Sequence, residues 1–230
     1  MTTAVYFDLD GTLCTYDVPF EEQFATTVSP YGEPTDAAYD AYVGRLFDAL
    51  EACESEPYRR AFEAVAETAE LEATPAALAR DHCETELEAS VVSADATRVL
   101  ERVAETNPTG VLTNGDGSQQ RAKLDRHGLD ELVDEVLVSN DVGVRKPESE
   151  IFDLARARLP ADDHVYVGDS YEEDIVGARS AGFGTIYVDE TGSGTDGIDA
   201  ADAVVSSVGE LLDPNSLPAA IGAPFEPSER

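Results

Sequence analysis

From Thr109 to Ser207 the chain alternates short β-rich runs with helix-length amphipathic stretches, and few architectures accept that rhythm. The runs are TGVLT (109–113), EVLVS (135–139), HVYVG (164–168), GTIYVD (184–189) and AVVSS (203–207), with AVYF (4–7) far upstream. Ser118 to His127, Glu148 to Leu159 and Glu172 to Ala181 read as the helices between them. Gly128 and Gly182 stand at helix C-cap positions and Pro147 at a helix start. Such alternation builds βαβ units on a parallel sheet, so the expected fold is α/β with a Rossmann-like three-layer core.

The first run breaks the rhythm. Between Thr15 and about Val92 no stretch reads as a strand, and the periodicity is helical throughout. Tyr39, Tyr42, Val43, Leu46 and Leu50 share one stripe, and Phe62, Val65 and Leu71 share another. An insertion of about 75 residues is too long for a connection, so residues 17–91 are expected to form an all-helical cap domain. Residues 1–16 and 92–213 then make the core. The tail from Pro214, with four prolines in seventeen residues, is expected to be extended or poorly ordered.

Composition narrows what such a chain meets. Its 48 Asp and Glu against 15 Lys and Arg leave a formal charge of -33, spread along the whole length. At 42% hydrophobic the chain still has a core to bury, so the acidity does not mean disorder. The Debye length falls from about 10 Å in 0.1 M salt to about 3 Å at 1 M, and the surface reads as adapted to molar intracellular salt. A nucleic-acid partner or an anionic membrane is disfavoured. With three Cys lacking CxxC spacing and three His, few zinc ligands are available. No secretory leader or apolar span is visible, so a cytoplasmic protein is expected, as a monomer or a homodimer.

In an open parallel sheet, ligands bind beyond the carboxyl ends of the strands. Those ends carry Asp8 and Asp10 after the first run, Thr113, Asn114 and Gly115 after the second, Lys146 beyond the third, and Asp169 and Asp174 after the fourth. Carboxylates converging without His or Cys suit a hard, oxygen-loving cation, with Mg²⁺ the default. Lys146 carries unusual weight, because Lys123 and Lys146 are the two lysines of the chain. In a straight strand residues i and i+2 share a face, so Asp8 and Asp10 could address one centre. Cys14 and the three histidines read as core or surface residues, and Arg45, Arg59 and Arg60 as salt-bridge partners on acidic helices.

The segments FDLDGTL (7–13), LTNG (112–115), VRKP (144–147) and GDSYEED (168–174) resemble the four ordered motifs of the haloacid dehalogenase-like (HAD) hydrolase superfamily. The likeness covers roughly residues 3–16 and 95–190, and is to the subfamily with a helical cap between the first two motifs. It implies a Mg²⁺-dependent phosphomonoester hydrolase acting on a small phosphorylated metabolite. Asp8 would be the nucleophile and Asp10 the acid and base. Gly11 would let the backbone turn under the phosphate, Thr113 and the Asn114 N–H would bind its oxygens, and Lys146 would neutralise charge. Asp8, the Asp10 carbonyl and Asp169 would hold the metal, with Asp174 acting through water or orienting Lys146. Glu173 departs from the pattern, standing where relatives often carry Asn. A 2-haloacid dehalogenase, a phosphomutase and a receiver-like phospho-acceptor are the alternatives; the second Asp, Asp10, argues against the dehalogenase, and the cap against the receiver.

Overall fold

The computed structural model describes residues 1–190, 192, 199–213 and 217–227. The chain opens with β1 (Thr3–Phe7) and the short β2 (Cys14–Tyr16), then runs through α1 (Phe20–Val28), α2 (Asp36–Glu51), α3 (Pro57–Thr68) and α4 (Pro75–Ala89). It returns through β3 (Ser90–Val92), α5 (Ala94–Ala104), β4 (Thr109–Thr113), α6 (Gly117–His127), β5 (Glu135–Val138), α7 (Ser139–Val142) and α8 (Ser149–Arg158). After β6 (Asp163–Gly168), one π-helical segment (Tyr171–Val176) leads into α9 (Gly177–Ser180), β7 (Gly184–Val188), β8 (Ala203–Val205) and α10 (Ala219–Gly222).

Six strands form one parallel sheet in the order β5-β4-β1-β6-β7-β8. The α/β, Rossmann-like architecture is therefore as the alternation predicts. Both faces of β1 are covered: Val5 and Phe7 enter the cluster with Val99 and Leu100 of α5, while Ala4 and Tyr6 enter that of Ile151 and Phe152 of α8. A continuous apolar run is what a doubly covered parallel strand requires. The chain leaves β1 for β4 on one side and later crosses to β6 on the other, so the β1 carboxyl end lies at the point where the winding reverses.

The four helices between Phe20 and Ala89 pack around a cluster of their own, built on Phe24, Tyr42, Leu46, Phe62 and Val65. Pro57 and Pro75 open α3 and α4 at helical first-turn positions, and Thr35 and Thr74 cap α2 and α4 by accepting the N–H groups of Ala38 and Ala77.

Three expectations need correction. Strand is present beside the insertion: β2 and β3 pair antiparallel, Cys14 opposite Val92, and join the two chain crossings. Three-residue strands are too short to show alternation in a sequence. The helix expected at Glu172 to Ala181 opens as a π-turn before α9. The tail is ordered where it is described: Leu217, Ile221 and Phe225, spaced four apart, are buried in the main core. Residues 214–216 and 228–230 lie outside the described residues.

Inside the helical layer His82 is fully buried, its Nδ1 3.0 Å from Thr27 Oγ1 and its ring 4.9 Å from that of Tyr42. Its Nε2 has no hydrogen-bond partner among the described residues. Burial lowers the imidazole from 6.5 to about 4, against the weaker pull of the Glu86 carboxylate. Because the folded value is depressed, the unfolded chain takes up the proton first. Stability is whole above about pH 6.5 and falls by about 1.4 kcal/mol per unit as the pH drops towards the folded value. Chemical unfolding of wild type and His82→Phe across that window is expected to show the steeper acid slope in wild type. Equal slopes would contradict the burial of a neutral imidazole.

Candidate active site

Asp8 follows β1 directly, and its N–H still donates to Val167 O at 2.9 Å, so the ladder carries it one residue past the strand. Its Oδ1 lies 2.8 Å from Lys146 Nζ, an ion-pair contact not aligned as a hydrogen bond. The same ammonium meets Asp174 Oδ1 at 2.5 Å and the Tyr166 hydroxyl at 2.9 Å, and it is 2% exposed. Burial would lower the ammonium's pKa, but Asp174 and Asp8 outweigh it and hold Lys146 charged. Asp174 also accepts the Ser170 N–H at 2.9 Å, which fixes the loop after β6.

Asp8, Asp169 and Asp174 each offer an oxygen within 4.8 Å of the others. Burial, together with Asp174 and Asp169, pushes the Asp8 carboxyl well above the usual carboxylate range despite Lys146. Burial and Asp174 raise Asp169 to about 6. Three crowded carboxylates, with no His or Cys among them, fit a divalent cation in chemistry and charge.

Close approach depends on two glycines. Gly11 has φ +88°, and a Cβ there would meet Asp169 Oδ2 at 2.1 Å. A Cβ on Gly168 would meet Asp174 Oδ2 at 2.4 Å. Thr12 completes the turn by donating to Asp169 Oδ1 at 2.9 Å.

Asp10 stands apart from that cluster. β1 ends at Phe7, so the turn at Gly11, not strand alternation, directs it. Lys123 Nζ lies 3.0 and 3.1 Å from its two oxygens, Gln120 Nε2 donates to it at 2.8 Å, and the Tyr16 hydroxyl at 2.9 Å. Burial would raise this carboxyl, but the Lys123 ammonium, Gln120 and Tyr16 outweigh burial and hold it low. Lys123 also pairs at 2.7 Å with Glu86 of α4, which accepts from Tyr58 at 2.7 Å. Asp10 is thereby tied through one ammonium to the helical layer. Its carboxylate is not part of the metal-like cluster among the described residues.

Thr113 is buried at the end of β4, donating to Asn114 O at 3.2 Å and accepting from Gln120 at 2.9 Å. The Asn114 side chain bridges two loops, accepting the Lys146 N–H at 3.0 Å and donating to Lys146 O at 3.1 Å and Glu173 Oε2 at 2.8 Å. Glu173 thus acquires a partner on each side, since Arg145 reaches its Oε1 at 2.6 Å. All the strand-end residues singled out in the sequence gather here. Lys123, Gln120, Tyr16 and Glu86 were not singled out, although the scarcity of lysine that favours Lys146 points equally to Lys123.

Against known proteins, a model of the haloacid dehalogenase-like hydrolase family matches residues 2–182. A ribulose-1,5-bisphosphate 5-phosphatase of Halopiger xanaduensis is 38% identical over 130 residues, which is 52% of this chain and 54% of that protein. A pyrimidine 5′-nucleotidase of Escherichia coli is 38% identical over 82 residues, 34% of this chain and 36% of that protein. The matches therefore span about half and about a third of those relatives. A crystal structure of a 2-haloacid dehalogenase from Pseudomonas syringae superposes with a TM-score of 0.70 at 25% identity, over 93% of this chain and 97% of that one.

Proposed function

The chain belongs to the haloacid dehalogenase-like hydrolase family, and from that premise we propose that it hydrolyses phosphomonoesters of small metabolites through an aspartyl-phosphate on Asp8. The observation that carries this reading is the pair of lysines. Two lysines exist in 230 residues, and each is buried against one of the two aspartates that the reaction needs. Relatives named as a phosphatase and a nucleotidase support a phosphate ester as substrate.

With Oδ1 against Lys146, the other Asp8 oxygen is free to attack phosphorus as the bond to the ester oxygen breaks. Asp10 gives the departing oxygen a proton, one drawn to its carboxyl by the charge of the arriving ester. In the second step Asp10, ionised beside Lys123, takes a proton from the water that attacks phosphorus. The Asp8–phosphorus bond then breaks and phosphate leaves. The Thr113 hydroxyl and the Asn114 N–H would receive the phosphoryl oxygens. Asp8 and Asp169 would hold Mg²⁺ with the Asp10 carbonyl, Asp174 standing behind them at Lys146. The cation supplies charge against the repulsion between carboxylate and phosphate, about 4 kcal/mol for a pair at 4 Å and an effective dielectric of 20. Helices α1–α4 serve as the cap that excludes water.

Dehalogenation on the same fold expels a halide that needs no proton, which gives the Asp10–Lys123 pair no task. Turnover of p-nitrophenyl phosphate with Mg²⁺ in molar KCl tests the reading. EDTA is expected to lower the rate by about 100-fold or more, with Mg²⁺ restoring it. Turnover indifferent to EDTA would remove the metal from the account, and release of halide from 2-chloropropionate without phosphatase activity would replace it.

A further inference from the structure

Between the strand ends and the helical layer lies a cavity of about 620 Å³, opening from Asp10, Asn114 and Gly115. It is large enough for a leaving group well beyond a few carbons. Its walls carry two kinds of chemistry. Phe20, Leu46, Phe47, Leu50, Tyr16 and Tyr58 make an apolar, largely aromatic side, and Phe47 remains 57% exposed although it is large and hydrophobic. The charged lining is lopsided: five acids, Asp10, Glu51, Glu86, Asp116 and Glu173, against two bases, Lys123 and Arg145.

Both bases already carry an ion pair. Lys123 is closed between Asp10 and Glu86 at 3.0 and 2.7 Å, and Arg145 is drawn to Glu173 at 2.6 Å. A carboxylate or second phosphate on the leaving group would enter a cavity of net negative charge whose two cations already answer carboxylates, with the Arg145 Nε as a donor that has no hydrogen-bond partner among the described residues. Carboxylates on the rim would instead accept hydrogen bonds from hydroxyl or amide N–H groups, while the aromatic side covers a flat apolar face.

Resting on the phosphatase reading above, we propose that this cavity selects phosphomonoesters whose leaving group is uncharged and ring-bearing, with hydrogen-bond donors, and rejects those with a second anionic group. Phe47 and Glu51, both on α2, determine that choice: Phe47 by covering the ring, Glu51 by opposing a second negative charge.

The test compares kcat/KM for esters of primary alcohols, which differ little in intrinsic leaving ability: benzyl phosphate and uridine monophosphate against phosphoglycolate and propanediol bisphosphate. All are measured at one salt concentration, because screening weakens the electrostatic part. The uncharged, ring-bearing esters are expected to lead by about 10-fold or more. Phe47→Ala is expected to lower their kcat/KM by about 10-fold. Glu51→Lys is expected to raise that of phosphoglycolate several-fold, a gain that misfolding cannot imitate. Equal or better turnover of phosphoglycolate by wild type overturns the inference and leaves the phosphatase reading standing. So does a Glu51→Lys variant that hydrolyses benzyl phosphate normally but gains nothing on phosphoglycolate. Absence of turnover for every ester, p-nitrophenyl phosphate included, overturns the phosphatase reading itself and this inference with it.

Discussion

Asp8→Asn is expected to lower kcat by about 10⁴-fold or more while leaving the fold at least as stable as wild type in EDTA. The activity loss follows from the role: an amide cannot form the acyl phosphate. The stability result follows from the surroundings. Asp8 is 7% exposed, and Asp174 and Asp169 both act against its ionisation. Replacing it with a neutral isostere removes a buried charge from a crowded group of carboxylates. Lys146 keeps its contact with Asp174 at 2.5 Å, so no ammonium is stranded. Activity and thermal unfolding, measured on one preparation, should therefore separate. A variant that loses both together would place Asp8 among the groups that hold the fold instead.

Lys146→Met is expected to cost both. The ammonium answers Asp8 and Asp174 at once, and also meets Tyr166. Its removal leaves Asp174, fully buried, beside Asp8 with no cation between them. Breaking a buried pair by deleting one partner costs about 3–5 kcal/mol. The same deletion removes the positive charge nearest the nucleophile, and kcat is expected to fall by about 10³-fold. The double variant Lys146→Met with Asp8→Asn should recover part of the lost stability and none of the activity. Recovery is the mark of charge compensation at Asp8, and its absence would mean that the stranded charge is that of Asp174 alone. The two variants thus divide the site into a residue kept for chemistry against stability and one that serves both.

Much of this site could be read from the sequence because a parallel sheet converts chain order into spatial order. Each apolar run ends where its polar residue must emerge, so Asp8, Thr113 and Asp169 meet once the runs are taken as neighbouring strands, and the loop after β5 and α7 brings Lys146 to them. The separate tether of Asp10 was less accessible. Lys123 sits mid-helix on α6, and its meeting with Asp10 and Glu86 depends on how α6 and α4 pack, which no local pattern states. Its rarity was the available signal. The Asn114 bridge to Lys146 and Glu173 was hidden for a similar reason, since it joins loops 32 and 59 residues apart. In the tail, proline content suggested extension, while Leu217, Ile221 and Phe225 already kept the four-residue spacing of a packed face. Spacing proved the better guide, because burial of three large side chains outweighs a local bias towards extended chain.

In the proposed mechanism Asp8 carries the phosphoryl group between two chemical steps. The most direct measurement is the mass of the peptide containing Asp8 after acid quenching of the Asp10→Asn variant with p-nitrophenyl phosphate and Mg²⁺. This ester needs no proton for its leaving group, so the first step proceeds, while loss of the base at Asp10 slows release by water. This peptide is expected to gain the mass of one phosphoryl group, in a burst matching one nitrophenolate per protein, and Asp8→Asn is expected to abolish both. A burst of nitrophenolate with the peptide unmodified, or the added mass on a different residue, would contradict that mechanism.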